Sequence, residues 1–186
     1  MELDKKIQNN KYTLNEYKSK LNVYIDMENH YEGFNKGVKE VLKNKSLNGI
    51  YGALGQVITV PGEYEKSIEA ALGAYLLNII TQDEGSAKFA INYLKKNNLG
   101  RVTFLPMNII KSNKIDTRYL KGENRIIGIA SDLISYDEKY RNIIENILGR
   151  TIIIDNIDNG IKFAKENGHK FKVVTLDGEI LNPGGS

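Results

Sequence analysis

The 186-residue chain has no cysteine and no tryptophan, three prolines and two histidines. Without cysteine it can form neither a disulfide framework nor a thiolate zinc site, which suits a reducing, cytoplasmic setting. No apolar run approaches the roughly 18 residues of a membrane-spanning helix. The opening MELDKKIQNNKYTLNEY lacks the apolar stretch of a secretory signal. His30 and His169 are isolated from each other and read as solvated surface residues, so no metal or other cofactor is expected. There is no G-x-x-x-x-G-K-[ST] phosphate loop and no G-x-S-x-G nucleophile elbow. GIYGALG at 49–55 spaces its glycines by three and leads from a helix into a strand. A dinucleotide loop leads from a strand into a helix, so this stretch reads as a junction. Asp132, Asp137 and Glu138 are grouped, but Asp137 reads as a helix N-cap and no nucleophile or base is paired with them. Catalysis is not expected of this chain.

What is present is 41% hydrophobic and 26% charged residues, enough for one core and an appendage. The net charge of +3 is small but unevenly placed. Residues 111–127 carry five basic and two acidic side chains, whereas 128–186 carry seven and nine. The positive excess therefore sits in one short connector, which a solvated linker or an acidic partner would each explain.

From the N-terminus, steps of four and three pass through Leu3, Ile7, Asn10, Leu14, Tyr17, Leu21, Tyr24, Glu28 and Tyr31. Most of these are apolar or aromatic, and the residues between them are mainly Lys, Glu, Asn and Asp. So narrow a stripe is the seam of a coiled coil, with Asn10 setting register. It broadens at Phe34, Val38, Val41 and Leu42, where the helix should enter a globular body, and Gly49 marks its stop. No second stretch has a matching heptad run, so the seam needs a helix from elsewhere.

The remainder repeats itself at an offset of 76: GALGQVITVPGEYEKSIEAALG (52–73) aligns without gaps on GIASDLISYDEKYRNIIENILG (128–149). Identical pairs include Gly52/Gly128, Ile68/Ile144, Glu69/Glu145, Leu72/Leu148 and Gly73/Gly149. After a two-residue difference, AKFAINYL (87–94) corresponds to IKFAKENG (161–168), and RVTFL (101–105) to KVVTL (172–176). Each copy reads strand, helix, strand, helix, strand. The first gives strands at 54–60, 75–81 and 102–105, with helices at 63–72 and 84–96, the latter capped by Asp83. The second gives strands at 128–135, 151–155 and 171–176, with helices at 137–148 and 158–167. Gly73 and Gly149 read as C-terminal glycine caps. The fold class is therefore α+β. A coiled-coil arm helix (1–48) leads into a two-lobed domain (49–186): lobe one at 49–110, a basic linker at 111–127 and lobe two at 128–186.

A coiled-coil entry, a doubled strand–helix body and a Gly-Gly exit together resemble the hinge of the bacterial structural maintenance of chromosomes (SMC) family. The match is carried by GFNKGVKEVL (33–42), GIYGALGQVITVPGEYEKSIEAALGAYLLNII (49–80), AINYLKKNNLGRVTFLP (90–106), GIASDLISYD (128–137) and VVTLDGEILNPGGS (173–186). This resemblance implies dimerisation rather than catalysis: two hinges join in a two-fold ring, lobe one of each against lobe two of the other. It assigns Gly184, Gly185 and Ser186 to a glycine-lined dimer surface, of which the family's second glycine pair and returning helix do not follow here. It also implies an ATPase whose heads lie outside this segment and bind kleisin-type subunits. The whole would be a nucleoid-associated ring that entraps DNA in chromosome condensation and segregation. The alternative is a DNA-binding module, with candidate contacts at Lys36, Lys39, Lys43, Lys95, Lys96 and Arg101, and at Lys111, Lys114, Arg118, Lys121 and Arg125 in the linker. No interleaved aromatic platform accompanies them, so such contacts would be salt-sensitive and made to phosphate.

Overall fold

The computed structural model describes residues 6–8, 10, 11, 13, 14, 17, 18, 35–116, 118, 120–122 and 126–184. Of the seam, Ile7, Asn10, Leu14 and Tyr17 are helical with exposed side chains. Leu3, Leu21, Tyr24, Glu28, Tyr31 and Phe34 lie outside the described residues. Helix α1 (Asn35–Lys43) enters the body where the stripe broadens. Val38 and Val41 are buried there and Leu42 is half-buried, against Leu77, Ile79, Ala90 and Leu94. Gly37 permits this approach, because a Cβ on it would lie 2.7 Å from the Leu99 carbonyl oxygen.

The first repeat forms strand β1 (Ile50–Ala53), β2 (Ile58–Thr59), helix α2 (Glu65–Leu72), β3 (Ile79–Thr81), α3 (Glu84–Lys96) and β4 (Phe104–Pro106). Strand β3 is central, antiparallel to β1 and parallel to β4, with α3 as the crossover that a parallel pair requires. The second repeat copies this order: β5 (Ile126–Ile129), β6 (Ser135–Tyr136), α4 (Arg141–Leu148), β7 (Thr151–Ile154), α5 (Ile157–Glu166) and β8 (Lys172–Thr175). It then adds β9 (Ile180–Leu181), antiparallel to β8, giving four strands where the first repeat has three. The short strands β2 and β6 pair with each other and tie the halves together.

The helices form for reasons visible in the chain. Asp83 accepts from the Ser86 N–H at 2.7 Å and opens α3, as predicted; Asn156 does the same for α5 through the Asn159 N–H. Each of these helices closes on an asparagine, Asn97 and Asn167, whose amide donates to the carbonyl four residues back. The strands at 54–60 and 128–135 come out shorter than expected. Both are broken by a turn of 3-10 helix, at Leu54–Gln56 and Ala130–Asp132, which follows a register shift at Gly52 or Gly128. In the first repeat the Gln56 side chain accepts the Ala53 N–H at 2.9 Å, offering that donor an alternative to the ladder. Likewise the predicted strand at 75–81 begins only at Ile79, because Gly73–Leu77 forms another 3-10 turn. Gly73 has φ +49°, as a glycine stop requires, but Gly149 has φ −67° and serves a different purpose described below.

The largest hydrophobic cluster belongs to both repeats. Leu54, Ile68, Leu72 and Ile80 from the first meet Ile143, Ile144, Leu148, Ile153 and Val174 from the second, all nearly inaccessible to solvent. Smaller clusters serve each repeat alone, one under α1 and one around Ile152, Ile154, Phe163 and Val173. The KFA tripeptides of the two repeats, aligned by identity, are not equivalent in space. Counted from the capping residues Asp83 and Asn156, it is Ala90 that matches Phe163, and both are fully buried. Phe89 is 60% exposed. Phe163→Ala should therefore lower stability by about 3–5 kcal/mol, while Phe89→Ala stays within about 0.5 kcal/mol. Urea unfolding of the two variants distinguishes this register from the one that pairs the phenylalanines.

Candidate dimerisation surface

The C-terminal segment TLDGEIL is built as a tight hairpin. The Thr175 N–H donates to the Glu179 carbonyl at 3.0 Å, the Glu179 N–H donates to Thr175 Oγ1 at 3.1 Å, and that hydroxyl donates to the Glu179 carboxylate at 3.0 Å. Gly178, at φ +89°, turns the chain where a Cβ would press on the Lys66 carbonyl of α2 at 3.3 Å. On the other side Leu181 packs over Gly160 of α5, with its Cδ1 3.4 Å from where a Cβ would stand. The hairpin is thus seated between both repeats and delivers Pro183 and Gly184 to the surface. Gly184 is exposed at φ +90°, held by its N–H to the His169 carbonyl at 2.9 Å. Gly185 and Ser186 lie outside the described residues.

Among the described residues the two larger sheets end on β1 and β4 and on β5 and β9, and the last strand of each sheet is the one of interest here. Strand β9 ends the four-stranded sheet, with Ile180 41% exposed on it. Strand β4 ends the other, and its position corresponds to β8, which in the second repeat is covered by β9. The first repeat therefore keeps a vacant place for a fourth strand. Pro106 within β4 lacks an N–H, which an edge tolerates and an interior strand does not. An open ladder of this kind is a template for another backbone.

The candidate basic residues fall into two groups. Lys36, Lys39 and Lys43 ride on α1, Lys95 and Lys96 close α3, and Arg101 follows in the loop that abuts Gly37, so the first repeat gathers all six around one junction. All are exposed, and no ion pair to Lys36, Lys43, Lys95, Lys96 or Arg101 occurs among the described residues. The linker residues instead lie along the second repeat. Lys114 is paired with Asp132 and lies 3.9 Å from Glu145; Arg118 grips Asp116 at 2.6 Å. That grip holds the Asp116 carboxyl below the ordinary carboxylate range. The Lys111 carbonyl accepts from the Asn146 amide, and the Lys121 N–H donates to the Asn167 side chain. Arg125 lies outside the described residues. The acidic group noticed in the sequence is dispersed by the same pairings, since Asp137 meets Lys139 and Glu138 meets Arg141.

The linker is thus strapped down rather than loose. The Ser112 hydroxyl donates to Glu145 at 2.5 Å, and the Ile115 N–H donates to the Gly149 carbonyl at 2.9 Å. Glu145 is buried for this reason, whereas its repeat partner Glu69 is exposed. Burial, with the Glu145 charge nearby, raises the Tyr136 phenol above its usual pKa. Gly149 is needed for space, not for φ: a Cβ there would stand 2.2 Å from the Glu145 carbonyl oxygen, 2.8 Å from the Asn113 carbonyl oxygen and 2.9 Å from Lys114 Cα.

A doubled three-stranded unit, one extra strand at its end and a helix fed into the first unit is a specific architecture, and comparison with known proteins matches it. The family model described as the flexible hinge domain of SMC proteins matches residues 47–164. The chain is an SMC hinge domain. It is similar to the chromosome partition protein Smc of Bacillus subtilis, 42% identical over 173 residues, which cover 91% of the chain and 15% of that protein. Among solved structures, an asymmetric dimer of the Geobacillus stearothermophilus SMC hinge domain is 38% identical with a TM-score of 0.79, covering 96% of this chain and 74% of that one. A Pyrococcus furiosus Smc hinge with an extended coiled coil is 30% identical with a TM-score of 0.72, covering all of this chain and 68% of that one. The hinge spans about one seventh of the curated relatives it matches. In SMC proteins the hinge is a dimerisation domain without catalytic function, in keeping with a sequence that offered no catalytic motif.

The close packing around Gly149 has a direct test. Gly149→Ala should cost about 1–3 kcal/mol by overpacking. Gly62→Ala, at an exposed site with nothing within 4 Å of the added methyl, should change stability by no more than about 0.5 kcal/mol. Equal unfolding midpoints for the two variants would show that the backbone of α4 and the linker do not crowd Gly149.

Proposed function

We propose that this hinge joins two copies of the chain into a two-fold ring, as part of a chromosome-partition protein that encloses DNA. The observation that carries the reading is the vacant strand position beside β4, together with a glycine exit beside β9. A β4 edge of one copy and the C-terminal edge of the other offer unpaired backbone groups, and glycine leaves no side chain to hold two backbones apart. Two such contacts closing one ring give avidity that neither has alone. The similarity to a hinge crystallised as an asymmetric dimer supports self-association. The domain organisation that goes with it is an arm helix at 1–48 followed by lobes at 49–110 and 128–186 about the linker. In this reading Gly184, Gly185 and Ser186 form the first half of the dimer surface, and kleisin-type subunits act at the distant heads. Sedimentation equilibrium at micromolar concentration tests it on this chain and on one extended by a returning helix. The extended form should be dimeric, and a monomer in both forms rules the reading out.

DNA contact is the second reading, favoured by the six basic residues gathered where α1 meets the loop at 99–101. Fluorescence anisotropy with a DNA duplex across a salt series measures it. Removing the charges of Lys36, Lys95, Lys96 and Arg101 should weaken binding and flatten the salt dependence. The logarithmic slope should shrink by up to about 0.9 for each phosphate that is no longer neutralised. Removing Lys114 and Arg118, which are already paired within the chain, should do much less. Affinity that survives the first set of substitutions argues against this surface.

A further inference from the structure

Asparagine followed by glycine occurs three times in the chain, at 48–49, 159–160 and 167–168. In such a pair the glycine backbone nitrogen can attack the Asn side-chain carbonyl, because glycine has no Cβ to obstruct the approach. Two of the pairs are held against that reaction. The Asn159 amide donates to both oxygens of Asp155, at 2.9 and 3.0 Å, and the Gly160 N–H donates to the Asn156 carbonyl at 3.0 Å inside α5. The Asn167 amide donates to the Phe163 and Lys121 carbonyls and its oxygen accepts the Lys121 N–H. The Gly168 N–H donates to the Lys165 carbonyl at 3.1 Å. In both pairs the attacking nitrogen and the group it would attack are engaged.

Asn48–Gly49 has neither restraint. The pair lies in the turn between α1 and β1, and Asn48 is exposed. Among the described residues nothing hydrogen-bonds the Asn48 side chain, and the Gly49 N–H has no backbone acceptor. Only the Gly49 carbonyl is held, by the Gln82 N–H at 2.8 Å. The position matters because the Gly49 backbone is pressed against the start of α3. A Cβ on it would overlap the Ser86 hydroxyl, which donates to the capping carboxylate of Asp83 at 2.9 Å. The next residue, Ile50, packs against the cluster that holds Val38 and Val41 of α1. A change in backbone length at this turn therefore acts on the seat of α1.

We propose that Asn48 is a site of spontaneous deamidation, and that the isoaspartate it yields loosens the seat of α1. The Gly49 nitrogen bonds to Asn48 Cγ, its proton passes through solvent to the side-chain nitrogen, and that nitrogen leaves as ammonia. Water then opens the resulting succinimide. Breaking the new Cγ–N bond leaves an aspartate at position 48, and breaking the original peptide C–N bond leaves an isoaspartate. The latter carries the main chain through Cβ, an added bond of about 1.5 Å. Ageing the folded protein in mildly alkaline buffer and mapping tryptic peptides 46–66, 151–162 and 166–170 by mass spectrometry reads all three pairs together. Conversion in 46–66 should outpace the other two by at least about tenfold, since each of those must first open hydrogen bonds worth roughly that factor. In urea the three rates should converge. Asn48→Gln, which would need a six-membered ring, should abolish conversion in its peptide. The proposal is wrong if 46–66 converts no faster than the others in the folded protein, or not at all, or if the same order persists in urea. Amide hydrogen exchange over 35–43 should quicken in the isoaspartate fraction relative to Asn48→Asp, which adds the charge without lengthening the chain. Equal exchange in those two samples overturns the effect on α1.

Discussion

The structure depends on a core that neither repeat owns. Leu54, Ile68, Leu72 and Ile80 are buried only because Ile143, Ile144, Leu148, Ile153 and Val174 stand opposite them. Side chains of this size gain about 1.5–3 kcal/mol each from full burial. A three-stranded or four-stranded sheet with two short helices could not cover that surface by itself. The pairing of β2 with β6 and the seat of the C-terminal hairpin against Lys66 are consequences of the same contact. What reads in sequence as two lobes is held together through a common interior.

Around that shared core the two repeats differ at their edges. Duplication builds two similar sheets, but the chain after β8 turns back as β9 and covers one edge, whereas the chain after β4 departs into the linker. One repeat is therefore finished and the other is left a strand short. The linker is drawn down over α4 by Ser112, Lys114 and the space above Gly149, so it cannot supply the missing strand. An edge left open in this way is a template on which another backbone can pair.

Much of this was legible in the residues. The caps of α3 and the stop at Gly73 follow from side-chain chemistry within one turn, and the entry of α1 at Val38 and Val41 follows from helical periodicity. The hinge resemblance rested on the order of segments such as LGRVTFLP and TLDGEILNPGGS, and similarity to known hinges agrees with it. Less legible were places where two identical residues have unlike surroundings. Glu69 and Glu145 align, yet only Glu145 is buried, because only it receives Ser112 from a linker 33 residues away. Phe89 and Phe163 align, yet a one-residue difference in helix start turns one outward. The strands at 54–60 and 128–135 looked continuous because apolar residues persist through the 3-10 turns that break them.

The sequence by itself determined the local vocabulary: the helix periods, the capping residues, the glycines that must turn, and a duplicated order that identifies the hinge family. These depend on interactions between residues a few positions apart, which composition and spacing record. Only the tertiary structure decided which charges are spoken for and which strand of each sheet is left at the edge. Those outcomes depend on surfaces brought together across a hundred residues, as Lys172 is to Ala71. No local pattern encodes such a meeting, because its energy resides in the packing of one repeat on the other.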